Sequence, residues 1–185
     1  MANIADDVSQ ALSSLVSGAG DVFSTTRDVA KDIVVKTVSS GGEVADTALS
    51  TAGEVVSEGV GAASKTGVSV TQAAVGLVDG AIEGVKEVGG DASSAASAVA
   101  HGAVKGVSTV GGDVGEAAVS AVEGAIKAAH AIGADTGDLA KDAVMGSLKA
   151  ADEIGSEAGG IVRKALLNAA ALPHDIIDAL LTGKS

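Results

Sequence analysis

Histidine is rare and cysteine is absent in this chain, and the spacing of the other side chains that could carry catalysis or bind metals forms no recognisable site. The three histidines, His101, His130 and His174, do not have metal-ligand spacing with each other or with the acidic residues. The chain has no cysteine, which excludes disulfides, thiolate nucleophiles and zinc-finger chemistry. The closing Gly183-Lys184-Ser185 matches the end of a phosphate-binding loop, but Asp178 stands where the first glycine of that loop is needed. We therefore expect no enzyme and no cofactor.

Acidic and basic residues instead recur at intervals of 22 positions between residues 91 and 157. The acidic positions are Asp91, Asp113, Asp135 and Glu157, and the basic positions are Lys105, Lys127 and Lys149. A row of carboxylates could hold divalent cations weakly. Because carboxylates also stabilise helix N-termini, we interpret the acidic row as helix-start residues or a solvated face, without a metal.

Segments of related sequence share this interval and define an array. They begin at Gly80, Gly102, Gly124 and Gly146. Asp21 and Glu43 are separated by one such interval, whereas the step from Glu43 to Asp91 is two intervals and four further positions. A four-residue insertion therefore lies between 43 and 91. We predict a helical lead-in over 1–20, the 22-residue repeat array over 21–165 and a C-terminal capping helix over 166–185.

The apolar residues of the array follow a helical period. Each repeat consists of two units of eleven, and eleven residues make three turns at about 3.67 residues per turn. The predicted fold is all-α, with amphipathic helices rich in glycine, alanine and valine packed side by side. The predicted packing face consists of Val85, Val88, Gly102, Val104, Gly106, Val107, Val110, Val114, Ala118, Val122, Ile126, Ala129 and Ile132.

The 26 glycines leave two arrangements open. A glycine inside a helix costs about 1 kcal/mol relative to alanine, so isolated helices of this composition would not be stable. In one arrangement, Gly41-Gly42-Glu43, Gly89-Gly90-Asp91 and Gly111-Gly112-Asp113 are turns between stacked helical hairpins. In the other, pairs such as Gly102 and Gly106 let long continuous helices approach closely. The apolar stripe keeps its phase across the Gly89-Gly90 pair, which favours the continuous helix.

The C-terminal segment differs from the array. Its single proline, Pro173, suits the first turn of a helix. The apolar face that follows consists of Ile176, Ile177, Leu180 and Leu181. This face predicts a helix that caps the array, or alternatively a docking peptide for a partner.

Composition and charge exclude several classes of function. Aromatic residues make up 1% of the chain, so an apolar pocket of large side chains is not expected. A net charge of −12 without a basic patch argues against nucleic acid and anionic lipid as partners. The longest clearly apolar run, Thr66–Val78, is shorter than the roughly 20 residues that a helix needs to cross a bilayer. Because the start of the chain lacks signal-peptide features, we expect a cytoplasmic protein or export by a non-classical route.

The repeat resembles the eleven-residue repeats of two groups of known proteins. The segment from His101 to Val119 resembles the eleven-residue repeats of synucleins, and more loosely those of perilipins and group 3 late-embryogenesis-abundant proteins. That resemblance implies an amphipathic helix on lipid or a desiccation protectant. The array is also similar in style to large alanine-rich helical antifreeze proteins, which implies a role at ice.

Three functions remain open on the sequence. The favoured hypothesis is a structural protein that self-assembles into a filament, tube or sheath through the packing face. The second is a coat on a neutral lipid, droplet or granule surface. The third is protection against desiccation or ice.

Overall fold

The structure, a computed structural model, describes residues 4–16, 21–41 and 44–182. Within these ranges the chain forms nine α-helices and no strand, which confirms the predicted all-α class with helices packed side by side. The helices are α1 (Ile4–Val16), α2 (Val22–Gly41), α3 (Val44–Thr66), α4 (Val70–Glu87), α5 (Ala92–Thr109), α6 (Val114–Ile132), α7 (Thr136–Ile154), α8 (Ser156–Asn168) and α9 (His174–Thr182).

Glycines with positive φ separate the helices from α3 to α8. They occur at Gly67, Gly89, Gly111, Gly133 and Gly155, with φ between 68° and 149°. Side chains with a Cβ rarely adopt this backbone conformation, so glycine ends each helix at little steric cost. After Gly89, for example, the Gly90 amide donates to the Val85 carbonyl at 2.8 Å, which satisfies an acceptor that the helix end leaves open.

Short polar side chains start the next helices. Asp91 accepts a hydrogen bond from the Ser94 amide at 2.8 Å, and Asp135 accepts one from the Asp138 amide at 3.0 Å. Asp113 does the same for α6. Each carboxylate satisfies an N–H that has no partner within the helix. The acidic row therefore contains helix-start residues, as one of the two interpretations predicted. Hydrogen bonds to Ser94 lower the pKa of Asp91.

The continuous helix favoured by the sequence is wrong, and the stacked helical hairpins are the arrangement found. The apolar period could not distinguish the two arrangements, because Gly89 and Gly90 take up the same number of positions in a turn as they would in a continuous helix. The next helix thus starts with its apolar residues again facing inward, and the phase of the stripe is the same in both arrangements. The predicted turn at Gly42 and Glu43 and the Gly183-Lys184-Ser185 tail lie outside the described residues.

The helices alternate between two layers. Among the described residues, each of α1 to α7 packs against the next helix and the next but one, with no packing between more distant helices. Because the short turns reverse the chain, helices two apart run parallel in one layer. One layer contains α1, α3, α5 and α7, and the other contains α2, α4, α6 and α8. The short α9 packs on α7 and α8. We call these the odd layer and the even layer.

Small side chains fill the space between the layers. The core consists mainly of alanine and valine, with a few larger residues such as Leu77, Ile82 and Leu166 fully buried. Small residues allow the helices to lie close together and to make many dispersion contacts. The predicted boundary between 165 and 166 falls inside α8. Within the described ranges, no helix combines the length and the apolar character that a membrane crossing requires.

Candidate functional site

The histidines lie apart from one another. Nε2 of His101 on α5 is 2.9 Å from Oε2 of Glu153 on α7, whereas His130 and His174 are exposed on α6 and α9. The hydrogen bond with His101 lowers the pKa of the exposed Glu153 carboxyl. In the part of the chain that the structure describes, no three acidic or histidine side chains are grouped as metal ligands would be.

In the even layer, α4 approaches α2 so closely that no side chain fits along the line of contact. Gly80 faces the Arg27 carbonyl, with which an added Cβ would collide. At Gly84 an added Cβ would lie 3.1 Å from the Lys31 carbonyl oxygen, and Gly76 makes a similar approach one turn earlier. The spacing of these glycines is that of helix pairs whose backbones touch.

The odd layer uses the same type of contact. Gly102 on α5 faces the Gly53 carbonyl of α3, and an added Cβ at Gly106 would lie 2.7 Å from the Ser57 carbonyl oxygen. On α7, Gly146 approaches α5 in the same way. Gly80 with Gly84, and Gly102 with Gly106, therefore serve as contacts between helices of one chain.

The residues of the predicted packing face lie within the chain's own fold. Those that are buried are Val85, Gly102, Val104, Gly106, Val107, Val114, Ala118, Val122 and Ala129. Those that are half-buried are Val88, Val110, Ile126 and Ile132. Their positions give this face an intramolecular role, so a contact between copies has to use other surfaces.

A cluster of charged side chains crosses the α2–α4 contact. Asp79 and Glu83 on α4 are 3% and 7% exposed, and they are the two charged residues among the buried ones described. Nε of Arg27 is 2.6 Å from Oε1 of Glu83 and 3.4 Å from Oδ2 of Asp79. Nζ of Lys31 is 3.5 Å from Oε2 of Glu83 and 2.9 Å from Glu87. We call Arg27, Lys31, Asp79, Glu83 and Glu87 the α2–α4 charge cluster.

Asp79 has the most unusual environment in this cluster. Its Oδ1 is buried without a hydrogen-bond partner among the described residues. Burial, and then the neighbouring Glu83 charge, raise the pKa of Asp79 to about 7, against the opposing charges of Arg27 and Lys127. Lys127 itself lies 5.2 Å from the centre of the Phe23 ring. Burial and the Glu83 charge thus both favour the protonated form of the Asp79 carboxyl.

Sequence reasoning missed this cluster, although one signal was present. The lysine row at Lys105, Lys127 and Lys149 would place a lysine at position 83, where the chain has glutamate. That residue directly precedes a contact glycine, Gly84, and it faces a cationic residue of α2. The sequence signal for the cluster was therefore an acidic residue, Glu83, at a position where the later repeats have lysine.

Both ends of the array have open grooves. At the N-terminal end, a groove of about 260 Å³ between α1 and α2 is lined by Asp7, Val29, Asp32, Ile33, Lys36 and Thr37. Its position is the one that a preceding helix would occupy, because each interior helix pair is covered on both sides. At the C-terminal end, a groove of about 600 Å³ lies against α7, α8 and α9 and includes Met145, Leu148, Arg163 and Leu180.

Helix α9 covers part of the C-terminal end. Ile177 is fully buried, and Ile176, Leu180 and Leu181 are half-buried. This is the position of a capping helix, although α9 is about half as long as α7. The short cover leaves Met145 51% exposed.

Comparisons of the chain with protein-family models, with curated proteins and with solved structures find no match.

Proposed function

We propose that the chain is a non-enzymatic structural protein that associates end to end with further copies, so that the two-layer array extends into a filament. The observation that carries this proposal is the openness of the ends. Within the even layer, α4 and α6 each have a neighbour on both sides, whereas α2 and α8 each have one. An array whose two ends differ joins head to tail, and such contacts produce filaments unless the rotation closes a ring.

The position of the exposed apolar residues supports this role for the C-terminal end. The large apolar side chains that are exposed in the described part of the chain are Met145, Ile154 and Ile161, and all three belong to α7 and α8. Repeat arrays generally need a polar outer face on their terminal units to remain soluble as single copies. We propose that these three side chains belong to the surface that another copy covers.

We propose that the two-layer array is built from a 22-residue repeat that consists of one helix and one turn. The positive-φ glycines from Gly67 to Gly155 follow one another at the interval of this repeat, and so do the capping residues Asp91, Asp113 and Asp135. A coat on neutral lipid would instead require the buried valines to leave the core. The compartment, cytoplasmic or reached by a non-classical route, stays a prediction.

The test blocks each end separately. Val29→Asp places a charge in the N-terminal groove, and Ile161→Asp places one on α8, whereas Ala131→Asp on the exposed side of α6 is the matched control. In sedimentation velocity and negative-stain electron microscopy, we expect concentration-dependent open-ended oligomers for the wild type and for the control, and monomers for each end variant alone.

Mixing the two end variants distinguishes head-to-tail association from any other kind. Each variant retains one intact end, so an equimolar mixture should form a one-to-one dimer and nothing larger. A wild type that stays monomeric at every concentration would refute the proposal. So would a mixture that stays monomeric while the wild type assembles, because assembly would then use other surfaces.

A further inference from the structure

Asp79 lies where a charged group is costly to place. It is 3% exposed, and its neighbour Gly80 holds the α2 backbone against α4. Its Oδ1 has no hydrogen-bond donor within reach among the described residues. An ionised carboxylate there would leave a charged acceptor buried and unpaired.

Arg27 and Lys31, the cations of α2 near Asp79, both contact the carboxylate of Glu83. Arg27 makes its 2.6 Å bond to Glu83 and lies farther, at 3.4 Å, from Oδ2 of Asp79. Lys31 also reaches Glu83, at 3.5 Å. The charged groups that act most strongly on Asp79 are Glu83 on α4 itself, Arg27 on α2 and Lys127 on α6.

Asp79 and Glu83 lie one helical turn apart on α4, and both carboxyl groups are buried. Two buried negative charges this close repel each other, so the pair is more stable when one of the two carboxyls keeps its proton. Glu83 is the better place for the negative charge because both Arg27 and Lys31 contact it. The proton therefore belongs to Asp79.

We propose that α2 and α4 form a proton-linked latch, in which Asp79 is a neutral acid that donates to Glu83 while α2 is docked and releases its proton to water when α2 leaves α4. The latch acts within one chain and does not depend on association between copies. Opening α2 exposes Asp79 to solvent, where a carboxylate is stable without a partner.

The direction of the pH effect follows from linkage. Docked Asp79 has a pKa of about 7, above the ordinary value of 3.8. At pH values between these two, the docked form keeps a proton that the open form has lost. Raising the pH across this window therefore favours opening, by at most about tenfold per pH unit for one proton. Above the docked pKa, both forms are ionised and the effect of Asp79 levels off.

The first test follows the Asp79 carboxyl carbon directly. The protein is labelled with carbon-13 aspartate, Asp79 is assigned through its own backbone, and the carboxyl shift is followed from pH 3 to pH 9. We expect a midpoint near 7 for Asp79. A midpoint near the ordinary value for aspartate would overturn the proposal.

The second test measures the opening of α2. Hydrogen exchange of α2 amides, corrected for intrinsic rates, is compared at pH 5 and pH 7 in the wild type, in Asp79→Asn and in Asp28→Asn. Asp28 is the control because it contacts Arg27 at 3.8 Å with a side chain that is 73% exposed. We expect the opening constant to rise by up to about 50-fold in the wild type and in the control.

Asparagine at position 79 has no proton to lose, and it retains a donor to Glu83. Its opening constant should therefore lack this rise. An Asp79→Asn protein with the same pH dependence as the wild type would overturn the latch. If that variant does not fold, the carboxyl titration of the wild type still decides the question.

Discussion

The α2–α4 contact of the even layer and the α3–α5 contact of the odd layer have the same backbone geometry and different side-chain chemistry. In both, a glycine faces a carbonyl of the neighbouring helix, Gly80 at Arg27 and Gly102 at Gly53. The charge cluster occurs in the even-layer contact, and the odd-layer contact is made by glycine and serine. Close approach of the helices thus depends on the glycines, and the buried charges are an addition to it.

Equivalent positions show how the neighbouring helix decides the role of a residue. Asp79 and Glu83 correspond, one repeat later, to His101 and Lys105. The first two are buried against the cations of α2, whereas Lys105 is exposed and His101 reaches outward to Glu153. The comparison indicates that the fold itself does not require the cluster.

The largest effects are expected from filling the two glycine contacts. Gly80→Leu and Gly102→Leu each force a side chain into a carbonyl of the adjacent helix. Because neither backbone can yield without separating the helices, we expect each change to lower the free energy of unfolding by about 3 kcal/mol or more. Urea denaturation followed by circular dichroism measures this loss.

Gly160→Leu on α8 is the control, because an added Cβ at that position meets nothing within 4 Å. If Gly80→Leu were tolerated as well as this control while Gly102→Leu unfolded the protein, the two contacts would not share a common basis. The even layer would then depend on its charges.

A smaller effect is expected from removing one partner of a side-chain pair, first in the buried cluster of the even layer and then in the exposed His101–Glu153 pair of the odd layer. Arg27→Met leaves the buried Glu83 with Lys31 alone, and hydrogen bonds to charged groups contribute about 1.5–3 kcal/mol. We expect a loss of about 2 kcal/mol in urea denaturation. His101→Gln removes a pair whose partner Glu153 lies in solvent, and no measurable change is expected. Equal losses for the two variants would contradict the distinction between buried and exposed charge.

The class of the fold was predictable because it depends on local patterns. The steps of three and four residues between apolar positions predicted helices, and the acidic row predicted starts such as those at Asp91 and Asp135. The choice between turns and continuous helices was not predictable from the stripe, since both arrangements preserve its phase. A glycine followed by Gly-Asp, as at Gly89, was the better indicator, because a helix start after a glycine requires a break.

The charge cluster could not be predicted because it depends on which helices become neighbours. No feature of Asp79 in the sequence states that Arg27, two helices earlier in the chain, will lie beside it. For the same reason, the sequence could not predict that the packing face is buried within the chain's own fold. The stripe identifies residues that need cover, such as Val104 and Val122, but it does not say whether the cover is another helix or another copy.

The smallest effect is expected at a glycine that makes neither a turn nor a contact. Gly61 lies within α3, and an added Cβ there meets nothing within 4 Å, whereas at Gly53 of the same helix it would lie 3.2 Å from the Ala98 carbonyl oxygen. Gly61→Ala should therefore raise the free energy of unfolding by about 0.5–1 kcal/mol, because alanine has less conformational freedom to lose in the unfolded chain. Gly53→Ala should lose part or all of this gain to the contact with α5. Urea denaturation of both variants measures the difference within one helix. Equal stabilisation by the two would mean that the odd-layer contact has room for a methyl group, and that close packing on glycine matters less there than in the even layer.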